Sequence, residues 1–219
     1  MLKKILSISL CVQCFIVLHA QDRKWAITLS PAMVQIPELY MAIQPGMQYR
    51  PNSRVAIVVE VCIPALAIAR NPSITDQKYS RLKGELKYNL NSRSRSSYIS
   101  IESSYAFREF TVENNAYFSG KNVDSVFSFQ RASVSSPIWI TNLKIGREYK
   151  LGPHFGLDIF AGMGFRNIST QYSDLKEVTR EAYFRPNCNV FPSSDPAWWY
   201  EANIYRFNAT FGFRLMYQF

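Results

Sequence analysis

Side chains able to do chemistry are scarce in this chain, and their spacing is regular. Nucleophilic catalysis needs a base beside the nucleophile, yet only two histidines occur. His19 lies in an apolar N-terminal run, and His154 follows Gly152-Pro153 with no serine or carboxylate next to it. His154 therefore reads as a turn residue. Four carboxylates, Glu60, Glu85, Glu102 and Asp158, are the candidates for an acid and a base. Each lies where polar and apolar residues alternate, and so do the cations Lys83, Lys87, Arg108, Lys144, Arg166, Arg206 and Arg214. Charges spaced in that way fall on the polar faces of strands, where their simplest chemistry is to pair with one another. No phosphate-binding loop, cysteine–histidine metal cluster or grouped catalytic acids appear, so no catalytic, cofactor or metal set is assigned. Cys62 and Cys188 could join in a disulfide in an oxidising compartment, or stay as two isolated thiols.

The elements that must position these charges show period two. Eight segments alternate: 25–30, 41–49, 55–63, 81–90, 99–108, 139–149, 155–166 and 206–219. Most run about nine to fourteen residues, longer than an ordinary strand and enough to cross a bilayer at a tilt. Their connections alternate too. Those at 51–53, 91–96 and 150–153 are short and polar, whereas 65–78, 110–137 and 168–203 are long. The link at 36–39 is the exception and is tight. Pro45 interrupts the second segment, which implies a bulge there or a different strand boundary.

Alternation alone does not say which face is inside. Three features choose. Trp25, Tyr49, Tyr88, Tyr149, Phe155, Tyr217 and Phe219 sit on the apolar faces, each beside a short turn or the C-terminus, as a girdle at one membrane interface would. The opposite faces mix glycine with charged residues, which suits a narrow interior. The last segment, RFNATFGFRLMYQF, ends on Phe219 in phase with its apolar face. The expectation is an all-β, eight-stranded antiparallel transmembrane barrel, an up-and-down meander with apolar residues toward lipid. An open edge in lipid leaves backbone groups unpaired, so the last strand must pair with the first.

Such a lumen is just wide enough for side chains to fill. Counting along the strands places Glu60, Glu85, Glu102 and Lys144 near mid-membrane, Asp158 and Arg214 in the periplasmic third, and Arg166 and Arg206 near the outer rim. The expected network interleaves Lys83, Lys87 and Lys144 with the carboxylates and pairs Asp158 with Arg214. It either plugs the barrel or lines a gated polar path. Outside, residues 126–134 could extend a hairpin above the membrane. The aromatics Tyr117, Phe118, Phe127, Phe129 and Trp198-Trp199-Tyr200 either form a binding surface or pack the loops together.

The chain has 219 residues, 47% apolar and 15% aromatic, with a formal charge of +9. Lys3 and Lys4, the apolar run 5–18 and the Leu18-His19-Ala20 junction form a secretory leader cut after Ala20. Residues 21–219 are then one barrel domain, and loss of the two lysines leaves a charge of +7. An exported chain without a basic run points to acidic envelope sugars and lipid phosphates rather than nucleic acid.

The leader, the eight strands and the terminal aromatic resemble the small eight-stranded outer-membrane barrels of the OmpA/OmpX type. Leu157-Asp158 followed by Gly162, Gly164 and Arg166, with the Ala20-Gln21 junction, resembles Bacteroidota outer-membrane barrels of unknown function. The resemblance implies that Tyr217-Gln218-Phe219 is read by the barrel-assembly machinery. The expected protein is a monomer of the cell outer membrane, in contact with its lipid, structural or surface-recognising through its extracellular loops. It is not expected to be an enzyme. The alternatives are a narrow channel, a lipid-modifying enzyme and a soluble periplasmic lipocalin-like barrel.

Overall fold

A strand that alternates polar and apolar side chains has to hide one set, and that choice decides what can surround the protein. The computed structural model describes residues 24–36, 38–67, 73–90, 97–119, 126–181 and 199–219. The expected leader, Cys188 and Trp198 lie outside the described residues.

Among the described residues twelve strands form: β1 (Trp25–Ile36), β2 (Glu38–Tyr49), β3 (Val55–Ala67), β4 (Ile74–Asn89), β5 (Ser97–Ser119), β6 (Val126–Ser135), β7 (Ile138–Lys150), β8 (Phe155–Ser169), β9 (Gln171–Lys176), β10 (Thr179–Glu181), β11 (Tyr200–Glu201) and β12 (Asn203–Gln218). Eight of them close an antiparallel barrel in the order β1-β2-β3-β4-β5-β7-β8-β12, with β12 back on β1. These are the eight alternating segments, extended at their ends. Closure brings Tyr217 opposite Ile27, and the Phe219 amide donates to the Trp25 carbonyl at 3.4 Å.

The register sets the shape. Followed once round from Met216 through Thr28, Gly46, Glu60, Lys83, Ser104, Ile140 and Arg166, it returns to β12 at Arg206, ten residues away. With about 3.3 Å per residue and about 4.8 Å between strands, that stagger tilts the strands by about 40° and gives a radius of about 8 Å. Each residue then advances about 2.5 Å along the barrel axis.

The polar set is inside. Thr28, Lys87, Asp158 and Arg214 have no exposed surface, while Val59, Leu143 and Phe211 are 48%, 63% and 89% exposed. The wall is thus apolar outside and charged within, the reverse of a soluble ligand-carrying barrel.

Pro45 does not make the expected bulge. Between β2 and β3 the register is the same at Ile43 and Gly46, on either side of it. The shift lies between Met41 and Ala42 instead. Proline cannot donate to the ladder, and the pairing with β3 skips that position while β1 still pairs Leu29 with it.

The stretches expected to be long loops are partly strand. At 23 residues, β5 outruns the wall. Its first part pairs with β7 as far as Ala106, and from Glu109 it pairs with β6. β9 and β10 add to β6, and the short β11 lies parallel to the end of β5. This extension has its own core of Ile74, Phe110, Val112, Tyr117, Phe129, Ala132, Val134 and Tyr172. The Tyr117 and Tyr172 rings stack at 4.3 Å. Asp76 and Asp174 adopt positive φ where the ladders shift, a conformation that Asp tolerates better than most residues.

Candidate functional site

Inward parity delivers every wall strand's polar residues to one narrow space, and the stagger decides which of them meet. Arg214 is the hub. Its Nε donates to Glu60 Oε1 at 2.6 Å, Nη1 to Asp158 Oδ2 at 2.8 Å, and Nη2 to Glu85 Oε2 at 2.8 Å and to Glu60 Oε2 at 3.2 Å. Lys144 bridges Glu85 Oε2 at 2.8 Å and Glu102 Oε2 at 2.9 Å. Lys87 bridges Asp158 Oδ2 at 2.6 Å and Glu148 Oε1 at 3.0 Å. Lys83 pairs with Glu60 and donates to Gln44 at 3.0 Å. Arg50 closes the short-turn end on Glu148.

Five carboxylates, Glu60, Glu85, Glu102, Glu148 and Asp158, therefore meet five cations, Arg50, Lys83, Lys87, Lys144 and Arg214. Neutral donors occupy remaining carboxylate positions. Ser100 donates to Glu85 Oε1 at 2.7 Å, Ser30 to Glu60 Oε1 at 2.9 Å, Asn142 to Glu102 Oε1 at 2.9 Å and Tyr98 to Asp158 Oδ1 at 2.7 Å. The Lys144 ammonium also sits 4.1 Å from the centre of the Phe160 ring, a cation–π contact. Buried charge is tolerated only when paired and hydrogen-bonded, and this cluster meets both conditions. Its oxygens are committed to internal partners, so what it can do is fill and brace the lumen.

Glycines make the space. A Cβ on Gly46 would lie 2.5 Å from the Glu60 side chain, and one on Gly146 would lie 2.4 Å from the Tyr98 ring. At these two positions a large inward side chain leans over a residue that has none.

The expected Asp158–Arg214 pair and the three interleaved lysines are present. Arg108, Arg166 and Arg206, expected in the same network, are separate from it. Arg166 and Arg206 stand eight residues along their own strands from Asp158 and Arg214, about 20 Å up the axis and beyond side-chain reach. Arg108 is anchored elsewhere, donating to the Ser136 carbonyl at 3.1 Å and the Ser136 hydroxyl at 2.5 Å. Arg50, Glu148 and Tyr98 are network members that sequence reasoning missed. Each continues the parity of a residue on the polar face, such as Gln48, Ser100 or Lys144; Arg50 and Tyr98 lie one residue beyond the segments 41–49 and 99–108, and Glu148 lies inside 139–149.

The girdle residues gather at the short-turn end. Trp25 and Tyr49 are Cα partners with ring centres 4.5 Å apart, and Phe155 and Tyr217 are partners at 5.2 Å. Phe219 follows at 6.5 Å from Tyr217, while Tyr88 and Tyr149 are exposed on their own strands. His154 lies among them, its Nδ1 2.9 Å from the Gln218 carbonyl. Cys62 is buried in the lumen and is not in a disulfide. Among the described residues no group of three or more His, Cys, Asp or Glu side chains is placed to hold a metal ion.

Comparison with family models, with curated proteins and with solved structures gives no match.

Proposed function

We propose that the chain is an outer-membrane β-barrel protein, exported with cleavage after Ala20, in which a lumen plugged by its own side chains supports a folded surface extension used in recognition. One observation carries this reading. On three adjacent wall strands, exposed aromatics lie ten residues apart: Tyr149 and Trp139 on β7, Phe155 and Phe165 on β8, Tyr217 and Phe207 on β12. At this tilt ten residues span about 25 Å, the height of the lipid-facing band of an outer-membrane barrel. Between these rows the wall exposes Leu143, Ile145, Ile159, Met163, Phe211 and Phe213. Soluble monomers rarely leave so continuous an apolar surface in water.

In this reading the short turns face the periplasm, and the extension formed by β6, β9, β10, β11 and the end of β5 faces outward. Its packed core favours a defined recognition surface over a mobile loop. The partners are outer-membrane lipid, the assembly machinery acting on Tyr217-Gln218-Phe219, and a ligand or surface outside the cell, with the barrel acting as a monomer.

The test is gel mobility of outer-membrane fractions in SDS with and without boiling. A folded barrel migrates differently from its boiled form. The same mobility in both, or recovery of the folded chain in the aqueous periplasm, overturns the proposal. Ion conductance of the wild-type barrel in planar bilayers would replace the plugged scaffold with a channel.

A further inference from the structure

We propose that the outer face of β7, β8 and β12 binds one anionic phospholipid, its phosphate on Arg147 and an acyl chain along a groove floored by Ala161 and Ala209. The site rests on the membrane-spanning reading of the barrel and gives the bound lipid a chemistry and a place.

Among residues whose side chains are described, Arg147 is the one charged group on the outward faces between the two aromatic rows. It lies two residues from Tyr149, about 5 Å up the axis toward Trp139. A cation at that depth is costly unless it reaches back to the interface or meets a counter-ion. The guanidinium does lean back, 5.3 Å from the centre of the Tyr149 ring. Among the described residues that ring is its partner, and no carboxylate pairs with it. The link 91–96 leads into Ser97, the Cα partner of Arg147, and carries Arg93 and Arg95 but no carboxylate. Ser97 itself is half-buried and sets a hydroxyl-bearing side chain on the same face. A guanidinium fork with a hydroxyl at its side suits a phosphate diester, and at the height of the girdle that group is a lipid headgroup.

The stagger places the rest of the lipid. On this wall, a move of one strand toward β12 and two residues up climbs about 8 Å with almost no sideways drift. From Arg147 that move passes its Cα partner Ile159 and reaches Ala161. The next passes Phe211, the partner of Ala161, and reaches Ala209. Two exposed alanines therefore stand in line above the arginine over about 16 Å, half of the ~30 Å hydrocarbon core and so the depth of one leaflet. Large side chains wall this line. Met163 stands on one side and Phe211 on the other, 62% and 89% exposed. No other large apolar side chain described is as exposed as Phe211, and a chain in the groove lies against its ring. The cation and the groove come from different strands, and both fit the same molecule: a charged head at the girdle and one leaflet's length of hydrocarbon above it.

The test uses the full folded chain in uncharged maltoside micelles, titrated with phosphatidylglycerol and read by native mass spectrometry. The expected result is one retained lipid per barrel. Arg147→Met should weaken retention tenfold or more, and Arg147→Lys, which keeps the charge without the fork, should weaken it less. Ala161→Phe fills the groove from outside the wall and should also weaken it. Arg54 lies at the same end of the barrel beside Tyr88, away from the groove, and Arg54→Met should leave retention as it is. Diacylglycerol has the chains without the phosphate and should not be retained. Excess inorganic phosphate should not displace the lipid. A barrel that still shifts on boiling in SDS yet retains no lipid overturns the site and leaves the membrane reading standing. Equal retention of diacylglycerol, displacement by inorganic phosphate, or equal weakening by Arg54→Met and Arg147→Met also overturns it. Where a variant does not fold, the comparison of phosphatidylglycerol with diacylglycerol on the wild-type chain decides.

Discussion

Replacing Arg214 by methionine removes four hydrogen bonds and the one cation shared by Glu60, Glu85 and Asp158. The three carboxylates are not abandoned. Glu60 keeps Lys83, Glu85 keeps Lys144 and Asp158 keeps Lys87. The network nevertheless becomes one negative charge in excess, in a place with no exposed surface at Arg214 or Asp158. Breaking one buried pair costs about 3–5 kcal/mol. Because each carboxylate retains a cation, the expected loss stays in that interval and does not triple. The same argument predicts a rescue. Adding Glu85→Gln to Arg214→Met restores the charge balance while Lys144 still holds Glu102, and should recover about 1–3 kcal/mol. The assay is reversible urea unfolding in phospholipid vesicles, followed by tryptophan fluorescence and extrapolated linearly. A change below about 0.5 kcal/mol for Arg214→Met, the range of an ordinary surface substitution, would show that the hub does not brace the barrel. So would a second substitution that deepens the loss. A stable Arg214→Met barrel that conducts ions would mean that the cluster gates a path.

Phe211→Lys puts a charge near the middle of the outer band and should cost about 2–4 kcal/mol in vesicles; no cost there means that the wall does not face hydrocarbon. Gly146→Ala drives a methyl group into the Tyr98 ring and strains its bond to Asp158, for about 1–3 kcal/mol, whereas Gly84→Ala, with nothing within 4 Å of its Cβ, should be close to neutral. Equal costs for the two glycines would remove the space argument. Burial, and then the nearby Glu201, hold the Tyr172 phenol above its ordinary range. Its contribution is complete below the unfolded value of about 10 and is lost as pH rises beyond it. Alkaline loosening of the extension should therefore diminish in Tyr172→Phe, and the same alkaline loss in both proteins, read by hydrogen exchange in β9, rejects the assignment.

Period two was sufficient for the eight wall strands because the inside and outside of this barrel differ at every second residue. It was insufficient for β9, β10 and β11, of six, three and two residues, which are too short to carry a period. The partner switch of β5 was half legible. Residues 126–134 announced a strand, yet the alternation could not say that β5 leaves β7 near Ala106 to meet it. Pro45 misled for a definable reason: a missing donor interrupts one ladder without adding a residue, and only an added residue shifts register.

Which charges would meet was the least legible part, because contact in a barrel depends on height as well as parity. Arg214 and Glu60 are 154 residues apart, and only the ten-residue stagger brings their side chains level. The same stagger explains the division of the lumen. Strands of this tilt lift Arg166 and Arg206 to the level of Arg108, away from every described inward carboxylate, while leaving Asp158 and Arg214 beside Glu85. A sealed half has to be neutral, since an unpaired charge there has neither water nor counterion to answer it. The height of Arg166 and Arg206 and the meeting of Arg214 with Glu60, Glu85 and Asp158 are thus two consequences of one geometry.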